Sequence, residues 1–225
     1  MYERTLALIG EDSLNKIKRK NILVLGTGGV GGYVIETLVR SGIQNITIVD
    51  YDKIDYSNIN RQVIANSNNI GNYKVNEWEK RIKEINKDIK VKKINEKITK
   101  DNINILFEDN YDYIIDACDT VIVKKLLIKL CKEKNINFLT VCGMGKKLDI
   151  TKIKICDIKD TSYDPIAKSL RKYIKDEKIR GKVMCVFSSE KPNNTSKEVI
   201  ASMMPVPSVA GIYAANYILQ DIIKK

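Results

Sequence analysis

Apolar and polar positions follow two rhythms along this chain. NILVLG from Asn21, NITIVD from Asn45, DYIID from Asp112 and INFLTV from Ile136 are short, largely β-branched runs with the length of buried strands. DIKVKKI from Asp88 alternates and reads as a third strand in chain order. Between these runs the apolar residues recur at helical spacing. GVGGYVIETLVRSG is one such segment, stopped by Gly42, and VIVKKLLIKLCKEK is another. In NYKVNEWEKRIKEIN, Val75, Trp78, Ile82 and Ile85 fall on one face. Strands alternating with helices predict an α/β fold, with a Rossmann-like, mostly parallel sheet flanked by helices.

After residue 141 the rhythm changes. KIKICDI reads as a strand on a separate, more polar surface, and KVMCVFS as another strand. Asp164-Pro165 is a helix start, because Asp caps free N–H groups and Pro suits the first helical position. SSEKPNNTSKE, from Ser188, reads as a flexible loop, and PSVAGIYAANYILQDIIKK as an apolar closing helix. These segments form a C-terminal strand and helix extension. The chain is read as one domain, with a first half over 1–141 and a C-terminal elaboration over 142–225.

The chemistry begins at GTGGVGG, where Gly26, Gly28 and Gly31 fit G-x-G-x-x-G between a strand and a helix, with Gly29 inside the loop. Glycines let the backbone approach phosphates, and a helix N-terminus offers unpaired N–H groups. Asp50 ends the next strand about 20 residues on, where a carboxylate bonds ribose hydroxyls. Up to this point NAD fits as well as ATP does. The next loop, YDKIDYSNINRQ, then brings Asn58, Arg61 and Gln62, and Lys74 follows. Two added cations suit a longer phosphate tail than the pyrophosphate of NAD. DACDT places Asp116 and Asp119 at the carboxyl edge of the sheet. Asp119 is the candidate Mg²⁺ ligand beside a triphosphate, and Asp116 reads as a cap for the following helix.

Composition narrows the classes. The 225 residues are 44% hydrophobic and 30% charged, which suits a globular core. There is no His and no C-x-x-C among the five Cys, so a Cys/His zinc site and a Ser-His-Asp or Cys-His engine are excluded. Unclustered thiols suit a reducing cytoplasm. A membrane span is not expected: Pro205 and Pro207 interrupt the uncharged run from Val199 to Gln220. The net charge of +11 fits an anionic partner, although a chain rich throughout in Lys, Asn and Ile carries the same excess without one.

GTGGVGG, IVDYD, SNINRQ, GNYK and DACDT, in this order over residues 1 to 141, resemble the ubiquitin-activating-enzyme superfamily of adenylating enzymes (ThiF/MoeB type). The resemblance implies ATP·Mg²⁺ and transfer of AMP to a carboxylate. It assigns Asp50 to ribose, Asn58, Arg61 and Lys74 to phosphates, and Asp119 to the metal. Arg4 matches an N-terminal Arg that reaches the partner subunit's ATP, which implies a homodimer. TVCGMGKKLDITKIKICDI, DPIAKSLRKYIK and VMCVFSSE are similar to the tRNA threonylcarbamoyladenosine dehydratase family within it. That likeness implies ATP-dependent cyclisation of threonylcarbamoyladenosine in tRNA through an acyl-adenylate, with a cysteine desulfurase system as a further candidate partner. Some relatives carry a Cys near the start of the last helix. This chain reads ASMMPVPSVAG there, so no sulfur-relay role carries over, and Cys118 and Cys185 default to packing. Lys168, Arg171, Lys172, Lys175, Lys178, Arg180 and Lys182, with Lys146 and Lys147, are expected to track tRNA phosphates. The competing activity is adenylation of a ubiquitin-like sulfur carrier, whose enzymes usually have the paired C-x-x-C motifs that are absent here.

Overall fold

The computed structural model describes residues 1–193 and 201–225. Part of the stretch read as a flexible loop, 194–198, lies outside the described residues. The elements in order are α1 (Glu3–Arg19), β1 (Asn21–Leu25), α2 (Gly31–Ser41), β2 (Asn45–Val49), α3 (Lys74–Ile85), β3 (Lys90–Ile94), β4 (Tyr113–Asp116), α4 (Val121–Glu133), β5 (Asn137–Val141), β6 (Ile153–Asp157), α5 (Pro165–Asp176), β7 (Met184–Ser188) and α6 (Pro205–Lys224).

The seven strands make one sheet in the order β3-β2-β1-β4-β5-β7-β6. Every pairing is parallel except β6 with β7, which is antiparallel at the edge. KIKICDI therefore does not lie on a separate surface. Its polar look is that of an edge strand, with only one neighbour and with Lys154 exposed.

Alternate residues of each strand face opposite layers. Ile22, Val24, Tyr113 and Ile115 join the core beneath α2, α3 and α6, whereas Leu23, Leu25 and Ile114 join the one beneath α4. Gly42 ends α2 with φ 117°, and Val75, Trp78 and Ile82 are buried as the helical spacing requires. Asp164 caps α5, accepting from the Ala167 N–H at 2.8 Å, with Pro165 in the first turn. Helix α1 has no counterpart among the expected elements. Only Leu14 and Ile17 of it are buried, and Gly10 kinks it at φ 78°, so its apolar stripe is too short to show as a period. Its partner is α6. No helix among the described residues is long and apolar enough to cross a membrane.

Candidate active site

The chain winds outward through β1, β2 and β3, then returns to place β4 on the other side of β1. The carboxyl ends of β1 and β4 diverge at this switch, where open α/β sheets hold their ligands. A cleft of about 810 Å³ opens there. The loops after the two strands approach so closely that side chains are forbidden. A Cβ on Gly26, whose φ is 84°, would sit 2.8 Å from the Ala117 carbonyl oxygen, and one on Gly31 would sit 1.8 Å from that of Gly26. Gly31 thus seats α2 under the loop rather than lining the cleft, while Gly26, Gly28 and Gly29 do line it.

Several elements fix this loop. The carboxylate of Asp50 accepts from the Thr27 N–H at 2.7 Å and the Thr27 hydroxyl at 2.9 Å, and its other oxygen accepts from the Asp52 N–H. The indole of Trp78 donates to the Thr27 carbonyl at 3.2 Å, so α3 also holds the loop. Asp50 keeps an edge on the cleft.

The SNINRQ segment wraps one rim. Tyr56–Asn58 forms a 3-10 turn in which Asp55 and Asn58 cap each other, and this buries Asn58. Arg61 donates to the Ser57 carbonyl and the Asn60 side chain through one nitrogen, leaving the rest of its fork toward the cleft. Asn60 donates to the Ser202 carbonyl and ties this rim to the segment before α6. Lys74 is 4% exposed and holds Asp52 at 2.7 Å. Gln62 is buried at the same wall, with an oxygen that has no hydrogen-bond partner among the described residues. Asp119 stands exposed on the opposite rim, where it accepts from the Thr120 hydroxyl. Among the described residues no three His, Cys, Asp or Glu side chains cluster to hold a metal. A hard cation at Asp119 would therefore have to complete its shell with phosphate oxygens and water, as Mg²⁺ commonly does.

The structure thus gathers Gly26, Gly28, Gly29, Asp50, Asn58, Arg61, Lys74 and Asp119 around one cleft. Arg4 is exposed on α1, outside the cleft of its own chain. Lys168, Lys172 and Lys175 share an exposed side of α5, also outside it. Arg171 is half-buried and donates to the Thr161 carbonyl and hydroxyl.

Two expectations need correction. Asp116 does not cap α4, whose first flanking residue is Thr120. It is fully buried, 3.0 Å from Lys124 Nζ, and accepts from the Thr140 hydroxyl at 2.7 Å. Lys124 also donates to the Val141 carbonyl, so one buried cation links β4, α4 and the end of β5. Its pKa is raised: burial alone would lower it, and the Asp116 carboxylate together with Cys118 and Cys142 outweighs that. Lys147 is not on a tRNA-facing surface. It is 4% exposed, donates to the Ser188 carbonyl at 3.0 Å and lines the cleft together with Asp164. Burial pushes its pKa down.

The thiols behave as packing groups. Burial, followed by the nearby Asp116 carboxylate, pushes Cys118 well up, and hydrogen bonding to Cys142 followed by burial does the same for Cys185. Neither is a ready thiolate nucleophile.

A glycine-rich loop at a strand-order switch, with a carboxylate at the end of the next strand and two cations on the same cleft, defines a nucleotide-binding α/β protein. The chain belongs to the ThiF family, whose model matches residues 2–225. It is 35% identical to the tRNA threonylcarbamoyladenosine dehydratase of Bacillus subtilis, over 99% of this chain and 94% of that protein. The Escherichia coli enzyme of the same name is 37% identical over 83% of this chain and 72% of its own. A crystal structure of the E. coli tRNA N6-threonylcarbamoyladenosine dehydratase in complex with ATP superposes with a TM-score of 0.93 at 33% identity, covering 99% of this chain and 93% of that one.

Proposed function

We propose that this protein is an ATP-dependent tRNA threonylcarbamoyladenosine dehydratase. The chain-long relation to enzymes of that name supports the reading. The observation that carries it is the single cleft in which the glycine loop, Asp50, Asn58, Arg61, Lys74 and Asp119 converge.

A carboxylate is a poor electrophile until one of its oxygens becomes part of a good leaving group, and transfer of AMP does this. The loop N–H groups, Arg61 and Lys74 meet the charge that builds at the α-phosphate. Lys74 enters this role by exchanging Asp52, its present partner, for phosphate. Mg²⁺ held at Asp119 would supply further charge neutralisation on the phosphate oxygens. The second step closes a ring within the modification and expels AMP. Since it is intramolecular, orientation in the cleft supplies much of its rate. Neither step requires a protein nucleophile, consistent with thiols held protonated and a chain without His.

Two copies are proposed to act together, with the exposed Arg4 of each reaching the other's nucleotide. Lys168, Lys172 and Lys175 are proposed to meet tRNA phosphates in the cytoplasm. Arg171 serves them indirectly, by bracing α5 against Thr161. The test is to incubate the protein with ATP, Mg²⁺ and threonylcarbamoylated tRNA and to weigh the nucleosides. Loss of one water from the modified adenosine is expected, and an unchanged mass overturns the reading. Pyrophosphate exchange on carrier proteins ending in Gly-Gly is expected to be absent.

A further inference from the structure

Beyond β5 the cleft carries a polar pair that the nucleotide end does not use. Lys147 Nζ donates to the Ser188 carbonyl and lies 3.8 Å from Asp164 Oδ2, too far for a hydrogen bond. Asp164, also 4% exposed, spends Oδ1 on capping α5. Its Oδ2 is buried with no hydrogen-bond partner among the described residues. A Cβ at Gly143 would crowd that oxygen at 3.1 Å, and glycine there avoids this. Both side chains line the cleft.

A buried acceptor without a donor, beside a buried cation with unused N–H groups, calls for a group that both donates and accepts. A hydroxyl does both. Its O–H gives to Asp164 Oδ2 while its lone pair takes from Lys147. A second carboxylate would be repelled by Asp164, an ammonium by Lys147, and an apolar group would leave both bare. Met144 and Ile166, at the same end of the cleft, offer apolar surface for a neighbouring methyl.

Given the dehydratase reading, on which this rests, we propose that Asp164 and Lys147 form the subsite that reads the side-chain hydroxyl of the threonine in the modified nucleoside. Holding that hydroxyl fixes the rotation of the amino acid and so aims its carboxylate toward the nucleotide end. The subsite also gives selectivity, because a site built for a hydroxyl strands its own polar groups when the hydroxyl is missing.

The experiment compares tRNA bearing the threonylcarbamoyl group with tRNA bearing its 2-aminobutyryl analogue, which keeps the methyl and lacks the hydroxyl. Wild-type kcat/KM is expected to be about 10- to 100-fold lower on the analogue. Asp164→Asn still caps α5, since Asn is as good a cap as Asp. It is expected to keep ATP affinity while its preference for the hydroxyl collapses toward one, and Lys147→Met is expected to do the same. If the wild type cyclises both substrates equally, or if both variants retain its full preference, the subsite is refuted and the dehydratase reading stands. If the wild type cyclises neither, the dehydratase reading fails and the subsite falls with it.

Discussion

At the nucleotide end of the cleft the ligand-facing groups are backbone amides and side chains of the segments that directly follow β1, β2 and β4. At the far end they come from a loop after β5 and the cap of α5, brought together only by the fold. The nucleotide end is stiff because glycines are wedged against carbonyls there, and Asp50 and Trp78 clamp the same residue, Thr27. The far end is held by buried charge, in Lys147 and Asp164, that the protein itself leaves partly unsatisfied. Stiffness suits a ligand whose identity is the same at every turnover, such as ATP. Unsatisfied polarity suits recognition of a substrate that must be told from close analogues.

The contrast can be broken first at Lys124, which serves both ends by joining Asp116 of β4 to Thr140 and Val141 of β5. Lys124→Met leaves a buried carboxylate unpaired and is expected to cost about 3–5 kcal/mol in urea unfolding. Adding Asp116→Asn should recover part of that loss. Gly31→Ala tests the stiffness of the nucleotide end. Its methyl would meet backbone rather than a movable side chain, so a destabilisation of about 3 kcal/mol is expected, with loss of ATP binding by calorimetry. Arg61→Ala leaves the fold intact and is expected to slow AMP release by about 10²-fold, read by single-turnover kinetics. The smallest effect is expected from reversing Lys168, Lys172 and Lys175 to Glu. ATP affinity should hold, while the slope of log tRNA affinity against log salt becomes shallower by about 0.7–0.9 per lost phosphate contact. An unchanged slope would show that this side of α5 is only a solvated face.

The same contrast explains what could be read from the residues alone. Gly26, Gly28, Asp50, Asn58, Arg61, Lys74 and Asp119 are placed by local rules, strand end followed by loop or helix start, so their convergence was legible before any coordinates. The strands and the cap of α5 were legible for the same reason. Lys124 was not. In VIVKKLLIKLCKEK it is one Lys among several, and only the pairing of β4 with β5 turns it inward. Lys147 was assigned to the surface by its charge, because nothing in GMGKKLD separates a buried Lys from its neighbour. The edge position of β6 depends on β7, which comes later in the chain and inserts between β5 and β6. Contacts of this kind, made across long stretches of chain, leave no local period.

The position of α6 has a consequence in time. It is the last of the described elements, it packs on α2, and its own Pro207 and the preceding Ser202 form part of the wall of the cleft. The glycine loop leaves the ribosome early, yet part of the wall around it comes from residues beyond 200. At roughly 5–20 residues per second of synthesis, the loop waits on the order of ten seconds or more before that wall can form. Nascent chains are therefore born without a finished nucleotide site, and competence to handle ATP arrives late, when α6 docks.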